Sequence, residues 1–366
     1  MSALFELDIH SSLKSYRVSI GSGLARAALE AEDAVVVVDA AMQAFFPWLE
    51  QARCISVEAR EDAKNLQTVA SVIERMRILG ANRHSALLAI GGGIVQDVAT
   101  FAASSYMRGI EWAYCPTTLL GMVDSCIGGK SSLNVGAYKN IVGNFYPPER
   151  VLIDTDFCST LAPMQMTEGL CEAVKICYAS RGPEFAQYLN MAAGAAMLSD
   201  TTRLSEMINL SLQTKKTFIE ADEFDNGVRL LLNFGHTFGH AIEGASAYRI
   251  SHGVAVGLGM LCAARLSESY DFVTPGQQRV RNLVTYVRSL LVPLTGLQQA
   301  LEAMSPAEVL TCFRSDKKHG KGEFALIVFD QGGFLERRFV SATTDNEARI
   351  ADVFEWVRKT LLYEIQ

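Results

Sequence analysis

The run Asn233-Phe234-Gly235-His236-Thr237-Phe238-Gly239-His240, followed by Ser251-His252, gathers three of the chain's six histidines into seventeen positions. His236 and His240 are four apart, so on a helix they share one face. His252 follows after a short gap and can fold back to meet them. Clustered imidazoles are the chemistry of a metal site, most often zinc. The aliphatic, glycine-rich surroundings point to a buried site, where an unpartnered histidine is costly. Both helical histidines need not be ligands: one can bind metal while the other handles protons or substrate. Glu172 and Lys175 sit three apart on an expected helix, carboxylate and ammonium on one face. Glu172 is a candidate protein group for the histidine cluster, since catalytic zinc commonly takes three protein ligands and keeps an open position.

Other residues suit anions. Gly91-Gly92-Gly93-Ile94-Val95-Gln96-Asp97 follows an apolar run and precedes a helical pattern. Glycine there lets the backbone approach a pyrophosphate, and a helix N-terminus supplies free N–H donors. The spacing is not GxGxxG, so a plain strand-to-helix turn is the competing reading. Asp97 cannot hold phosphate by charge; it orients another group or caps the helix. Asp124 and Lys130, with Lys139 and Asn140 beyond, concentrate polar groups among apolar ones. That pattern suits a pocket for phosphate or carboxylate, and otherwise a surface loop. Glu61 and Lys64 read by themselves as a solvated i,i+3 ion pair. Lys215, Arg229 and Lys317-Lys318 flank the histidines. Singly each is a solvated group; with Lys130, Lys139 and Lys175 they make an electropositive pocket for a substrate bearing several negative groups.

These residues need elements to position them. A chain of 366 residues exceeds the size at which one core usually stops growing, so two domains are expected. With 49% hydrophobic and 20% charged residues the composition is that of an ordinary soluble globular protein. The net charge of −7 and the lack of a basic block argue against nucleic acid. The opening residues lack a basic stretch followed by an apolar run, and no apolar stretch reaches the length of a membrane span. The expectation is therefore no signal peptide, no membrane and a cytoplasmic location. Eight scattered cysteines without a CxxC pair read as reduced thiols.

Short β-branched, strand-like runs at 17–20, 34–38, 86–90, 112–115 and 151–154 alternate with helical patterns, the signature of a parallel sheet with crossover helices. Ligands of such sheets bind outside the carboxyl ends of the strands. Asp39, the glycines at 91–93 and Pro116-Thr117-Thr118 fall there. From Pro163 helical patterns dominate, at 163–180, 183–198, 201–221, 232–247, 252–272 and 275–290, and strand-like residues return only at 323–329. This predicts an α/β N-terminal dinucleotide-binding domain, mostly parallel, over 1–160. An all-α C-terminal metal- and substrate-binding domain is predicted over 161–366.

The motifs GGGxxxDxxxFxAxxYxRG, PTTLLxxVDSxxGGK, KNxxGxFxxP, LNFGHTFGHAIE and HGxAVxxGM occur in order. With them the chain resembles the sugar phosphate cyclase superfamily, and within it the 3-dehydroquinate synthase family. The likeness spans nearly the whole chain and is strongest at 86–176 and 222–260. It implies zinc, or cobalt in its place, held by Glu172, His236 and His252, with His240 a neighbouring non-ligand. It implies NAD in contact with Asp39, Glu61, Lys64, Gly92, Gly93, Asp97, Thr117, Thr118, Asp124, Lys139, Phe157, Thr160, Leu161 and Gln165. Glu61 and Lys64 thereby become cofactor-binding. Phosphate is assigned to Lys130, Asn140, Asn233 and one of Lys317 and Lys318, the substrate carboxylate to Lys215 and Arg229, and substrate hydroxyls to Lys175. Arg108 is assigned to the neighbouring subunit's site, which implies a homodimer.

The implied activity is NAD- and zinc-dependent cyclisation of 3-deoxy-D-arabino-heptulosonate 7-phosphate to 3-dehydroquinate, a carbon–oxygen lyase reaction of the shikimate pathway and aromatic amino acid biosynthesis. An alcohol is oxidised, phosphate is eliminated, the hydride returns, and an intramolecular aldol step closes the carbocycle, so NAD shows no net change. A sister cyclase of secondary metabolism, acting on sedoheptulose 7-phosphate or of the 2-deoxy-scyllo-inosose or amino-dehydroquinate type, is the alternative. A metal-dependent polyol dehydrogenase and a non-catalytic binding protein rank lower. Gln96 and Thr100 stand where the pattern commonly has glycine, and 131–138 replaces a more usual TGVNHPLG-like loop. These departures bear on the substrate more than on the cyclase class.

Overall fold

The computed structural model describes residues 4–31, 34–51, 53–136, 138–192, 200–316 and 319–365. The chain forms two compact units, one of residues 1–162 and 194–223, the other of 163–193 and 224–366. Among the described residues no helix is long and apolar enough to cross a membrane.

The strands of the first unit are β1 (Phe5–Ile9), β2 (Tyr16–Gly21), β3 (Val35–Asp39), β4 (Cys54–Val57), β5 (Leu87–Gly91), β6 (Trp112–Pro116), β7 (Lys130–Val135), β8 (Tyr138–Phe145) and β9 (Arg150–Asp154). Seven of them form one sheet in the order β1-β2-β9-β6-β5-β3-β4. The pairing is parallel except between β1 and β2. The valines of β3 and the residues Leu87–Ile90 of β5 are buried, because an aliphatic run with no polar alternation fits only a strand covered on both faces. Each buried valine stabilises the fold by roughly 1.5–3 kcal/mol. Helices α1 (Leu24–Ala31), α2 (Ala40–Phe45), α3 (Leu66–Ile78) and α4 (Gly93–Ser105) follow β2, β3, β4 and β5. From β3 the chain steps to β4 on one side and then to β5 on the other. Such a reversal opens a crevice outside the carboxyl ends of the two strands, where Asp39 and Gly91-Gly92-Gly93 stand.

Of the segment 131–138, expected as a loop, the described residues 131–136 and 138 belong to an antiparallel hairpin of β7 and β8. Ser131 and Leu133 turn inward while Lys130 and Val135 face out, and β7 packs on α3 and α4. With Leu133 and its half-buried partner Val142 set among polar residues, and a turn made at Gly136 (φ 58), the hairpin carries little strand signal. Before it, Gly121–Ser125 makes a π-helical turn.

The helices α5 (Pro163–Ala179) and α6 (Glu184–Ala192) belong to the second unit, but α7 (Thr201–Ala221) returns to the first. There α7 packs on β1, β2 and the π turn, and Asp200 caps it by accepting from Thr202 N and Arg203 N. A single division after residue 160 does not describe this crossing, so Lys215 lies in the sheet unit.

The rest of the second unit is α8 (His236–Ala245), α9 (His252–Ser269), α10 (Gln278–Leu291), α11 (Leu297–Glu302), α12 (Pro306–Arg314), a hairpin of β10 (Glu323–Phe329) and β11 (Leu335–Ser341), and α13 (Thr344–Ile365). Among the described residues the unit is helical with this one two-stranded sheet, which an all-α domain lacks; β11 carries Glu336, Arg337 and Arg338 and so shows no apolar run. Helix α9 is buried nearly all round, as an apolar helix must be, and α5, α8, α10, α13 and β10 pack against it. Glycine sets how close they come. A Cβ on Gly259 would overlap the carbonyl oxygen of Gly235, and one on Gly253 would lie 2.5 Å from Glu168 Cα. Gly235 starts α8 in the left-handed region at φ 77, where a side chain is disfavoured.

Candidate functional site

The close packing of α5, α8 and α9 brings Glu172, His236 and His252 together. One donor atom from each lies within 4.8 Å of the others. Glu172 Oε1 is 3.8 Å from His236 Nε2 and 3.6 Å from His252 Nε2. Donors sharing a tetrahedral ion at about 2 Å lie about 3.3 Å apart, so small side-chain shifts close this set around a metal. The two carboxylate oxygens divide their work. Oε1 faces the histidines, and Oε2 forms an ion pair with Lys175. Glu172 is 0% and Lys175 2% exposed; a carboxylate so deep requires cations around it.

The outer nitrogens of both rings are also held. His236 Nδ1 lies 3.2 Å from the Phe234 carbonyl, which it meets as a donor in the tautomer that leaves Nε2 open. His252 Nδ1 lies 3.1 Å from Glu243 Oε2. Partners of this kind fix ring orientation and tautomer in metal sites. Burial is the largest influence on His252 and favours its neutral form. The Glu243 bond and the Glu243 and Glu172 charges outweigh it, with Lys175 opposing, so the pKa is raised. His240 takes a different place. Its side chain is 44% exposed and its Nδ1 is 3.8 Å from Asp316 Oδ2. A second set of close donors, His240, Glu243 and His252, shares one histidine with the first.

In the sheet unit the expected cofactor residues form a network. Lys64 is buried and its Nζ lies 2.5 Å from Asp97 Oδ2 and 2.8 Å from Asn140 Oδ1. The solvated Glu61–Lys64 pair is thus replaced by an internal one with Asp97. The reason is register: the β7–β8 hairpin lies against α3 and α4 and covers Lys64. Asp97 Oδ1 accepts from Ser132 N at 2.9 Å. Burial, the largest influence on Asp97, raises its pKa, and the charge and hydrogen bond of Lys64 only partly counter it. Glu61 turns to Lys139 at 3.3 Å and accepts from Asn134 Nδ2 at 2.8 Å.

Nearby, Asp39 caps α2 by accepting from Ala41 N. Gly92 caps α4 without a side chain, which leaves the first N–H groups of that helix available to an anion. A Cβ on Gly92 would press on Thr118 at 3.0 Å. Thr117 N donates to the Gly91 carbonyl, and Thr118 Oγ1 accepts from Gly121 N at 3.1 Å. Phe157 buries its ring edge-on against Phe46. Thr160 Oγ1 donates to the Phe157 carbonyl and Leu161 follows it, whereas Gln165 lies exposed in the first turn of α5, in the other unit.

Lys215 is buried and held within the sheet unit. Its Nζ meets the Asp124 carboxylate at 2.7 Å and donates to the carbonyls of Asp124 and Ile127. Arg229 and Asn233 lie on a 3-10 turn, Val228–Asn233, of the helical unit; Arg229 is buried and Asn233 Nδ2 donates to the Leu230 carbonyl. Lys130 is exposed, its ammonium 5.9 Å from the Phe145 ring centre. Arg108 is exposed on a reversal in which Met107, Arg108 and Gly109 all have positive φ. Lys317 and Lys318 lie outside the described residues.

Sequence reading missed Glu243, Asn134 and the Gln96–Ser125 contact. Glu243 was legible: it follows His236 by seven residues, two helical turns on the same face. The other two depend on a hairpin and a π turn that no periodicity announces.

An open parallel sheet with a glycine-rich turn at its reversal, followed by a helical unit with two histidines about a buried glutamate, defines a two-unit α/β and helical protein with a metal-ligand set. The chain belongs to the 3-dehydroquinate synthase family: residues 54–168 match the family's N-terminal model and 169–319 its C-terminal model. A 3-dehydroquinate synthase of Xylella fastidiosa is 37% identical over 288 residues, 77% of this chain and 71% of that protein. Among solved structures, 2-deoxy-scyllo-inosose synthase, complexed with carbaglucose-6-phosphate, NAD+ and Co2+, matches with a TM-score of 0.80 at 24% identity, covering 96% of this chain and 99% of that one. The 2-epi-5-epi-valiolone synthase of Streptomyces hygroscopicus subsp. jinggangensis, with NAD+ and Zn2+ bound, matches at 0.79 and 24%, with the same coverage. At that identity the two structures speak for the fold.

Proposed function

We propose that this protein cyclises 3-deoxy-D-arabino-heptulosonate 7-phosphate to 3-dehydroquinate with loss of phosphate, using NAD and a divalent metal, zinc or cobalt. The observation that carries the reading is the buried Glu172 carboxylate, one oxygen toward His236 and His252 and the other toward Lys175, in a chain of this family. When bound, the metal acidifies a substrate alcohol and NAD accepts and returns a hydride.

The chain's own residues bind, orient and balance charge. Glu172, His236 and His252 hold the ion, and Glu243 keeps the His252 ring aimed. Lys175 balances the second Glu172 oxygen and meets substrate hydroxyls. His240, more exposed, moves a proton at its ring nitrogens. The N–H groups behind Gly92 and Gly93 receive the pyrophosphate. Asp39, Glu61, Lys64, Asp97, Lys139, Thr117, Thr118, Asp124 and the backbone around Phe157, Thr160 and Leu161 line the cofactor's path, with Gln165. Lys130, Asn140, Asn233 and one of Lys317 and Lys318 take the substrate phosphate. Lys215 and Arg229 take its carboxylate, which a substrate such as sedoheptulose 7-phosphate lacks. Arg108, displayed on its strained reversal, serves the second subunit of a homodimer. Fixed cations placed before the substrate arrives require no reorganisation during reaction.

Incubation with NAD, zinc and the heptulosonate phosphate is expected to release phosphate and form the carbocycle without net NADH. Turnover of sedoheptulose 7-phosphate but not of the heptulosonate would overturn the reading. So would stoichiometric NADH release, the mark of a dehydrogenase.

A further inference from the structure

Gln96 stands on the first turn of α4, 5% exposed, and both atoms of its amide are spent on one residue. Its Nε2 donates to the Ser125 carbonyl at 2.8 Å, and Ser125 Oγ donates to its Oε1 at 2.7 Å. This two-point clamp fastens the end of the π turn Gly121–Ser125. Thr118 fastens the start through Gly121 N. Between the two fastenings, Asp124 offers both its carboxylate and its carbonyl to Lys215 Nζ. At the turn's end a wide i→i−5 bond runs from Cys126 N to the Gly121 carbonyl at 3.1 Å. A single π turn gains little from helix propensity, so side-chain bonds must fix its direction. Backbone and hydroxyl of Ser125 both point to Gln96, and Ser125 adjoins Asp124 in sequence.

We propose that Gln96 is a positioning residue for the reaction: by clamping Ser125 it aims Asp124 at Lys215 and so sets the direction of the ammonium that receives the substrate carboxylate. The proposal rests on the reading of Lys215 given above. Gln96 itself touches no reacting atom; it acts through Ser125 and Asp124.

Gln96→Met keeps the volume and removes both bonds. In enzyme saturated with zinc and NAD, it is expected to lower kcat/KM for the heptulosonate phosphate by about 10- to 100-fold, the upper figure being the cost of a misplacement of about 1 Å. Added to Lys215→Met, it is expected to cause no further loss, because the two act on one ammonium. Ser125→Ala removes only the hydroxyl arm and is expected to give a smaller loss in the same direction; it carries the test if Gln96→Met does not fold. A merely structural Gln96 would lower the urea midpoint and leave kcat/KM unchanged in folded enzyme. That outcome, or losses that multiply with Lys215→Met, overturns the proposal while the Lys215 reading stands. Full kcat/KM in Lys215→Met alone overturns both.

Discussion

Glu243→Gln tests the metal centre where it is most specific. Glu243 Oε2 lies 3.1 Å from His252 Nδ1, on the side of the ring away from Glu172. A hydrogen bond to an ionised partner contributes about 1.5–3 kcal/mol and a neutral one about 0.5–1.5. The glutamine keeps the shape and loses the charge, a difference of about 1–1.5 kcal/mol, which is roughly tenfold in zinc affinity. Glu243→Ala removes the acceptor and belongs at the upper end, about 100-fold, of losses from such outer partners. Competition for zinc against a chromophoric chelator reads both, with no substrate or NAD present. The neighbouring donor set makes a different prediction. If His240, Glu243 and His252 held the ion, His240→Ala would weaken zinc as much as His252→Ala does. With Glu172, His236 and His252 as ligands, His240→Ala leaves zinc affinity unchanged and Glu172→Ala abolishes tight binding. Wild-type affinity in Glu243→Gln and Glu243→Ala, or a His240→Ala loss equal to that of His252→Ala, refutes the reasoning.

Lys64→Met strands Asp97, whose side chain is 14% exposed, and breaking one side of a buried pair costs about 3–5 kcal/mol. Urea unfolding is expected to show that loss, and Lys64→Met with Asp97→Asn to recover part of it; full stability in Lys64→Met would remove the pair from the account. Because Asp97 has a raised pKa, the native state binds more protons than the unfolded chain just above pH 3.8. Its contribution to stability therefore falls as pH rises from 3.8 through the folded pKa, and Asp97→Asn should flatten that part of the urea-stability profile. An unchanged slope counts against it. Gly259→Ala drives a methyl into the Gly235 carbonyl; overpacking of this kind costs typically 1–3 kcal/mol or more. Thermal unfolding should show a clear drop in the apo protein, accompanied by weaker zinc binding because α8 and α9 separate; a neutral substitution would contradict the close approach.

Much of the frame was legible because its signals are local. Residues 35–38, 87–91 and 112–116 are uninterrupted apolar runs, and such runs suit only strands covered on both faces. Helices α5, α7 and α9 begin at the positions that their patterns indicated. Where the signal was faint, the elements have mixed or charged faces: β1, β4, β7 and β11 mix exposed and buried residues over a few positions, and β8 mixes exposed and half-buried ones. The return of α7 to the sheet unit left no mark in composition, because either unit can cover an amphipathic helix.

The sequence by itself determined the residue types and their spacing: two histidines on one helix, a third at the head of the next, a carboxylate and an ammonium three apart, and glycines after a buried strand. Those follow from periodicity and side-chain chemistry. Only the tertiary structure decided partners. Packing through Gly253 and Gly259 brings His252 to Glu172 and leaves His240 outside the Glu172–His236–His252 donor set. The hairpin turns Lys64 from Glu61 to Asp97, and α7 carries Lys215 to Asp124. Each is a contact between residues far apart in the chain, chosen by how close two backbones can come and which charge is left buried, and neither quantity is written in local sequence.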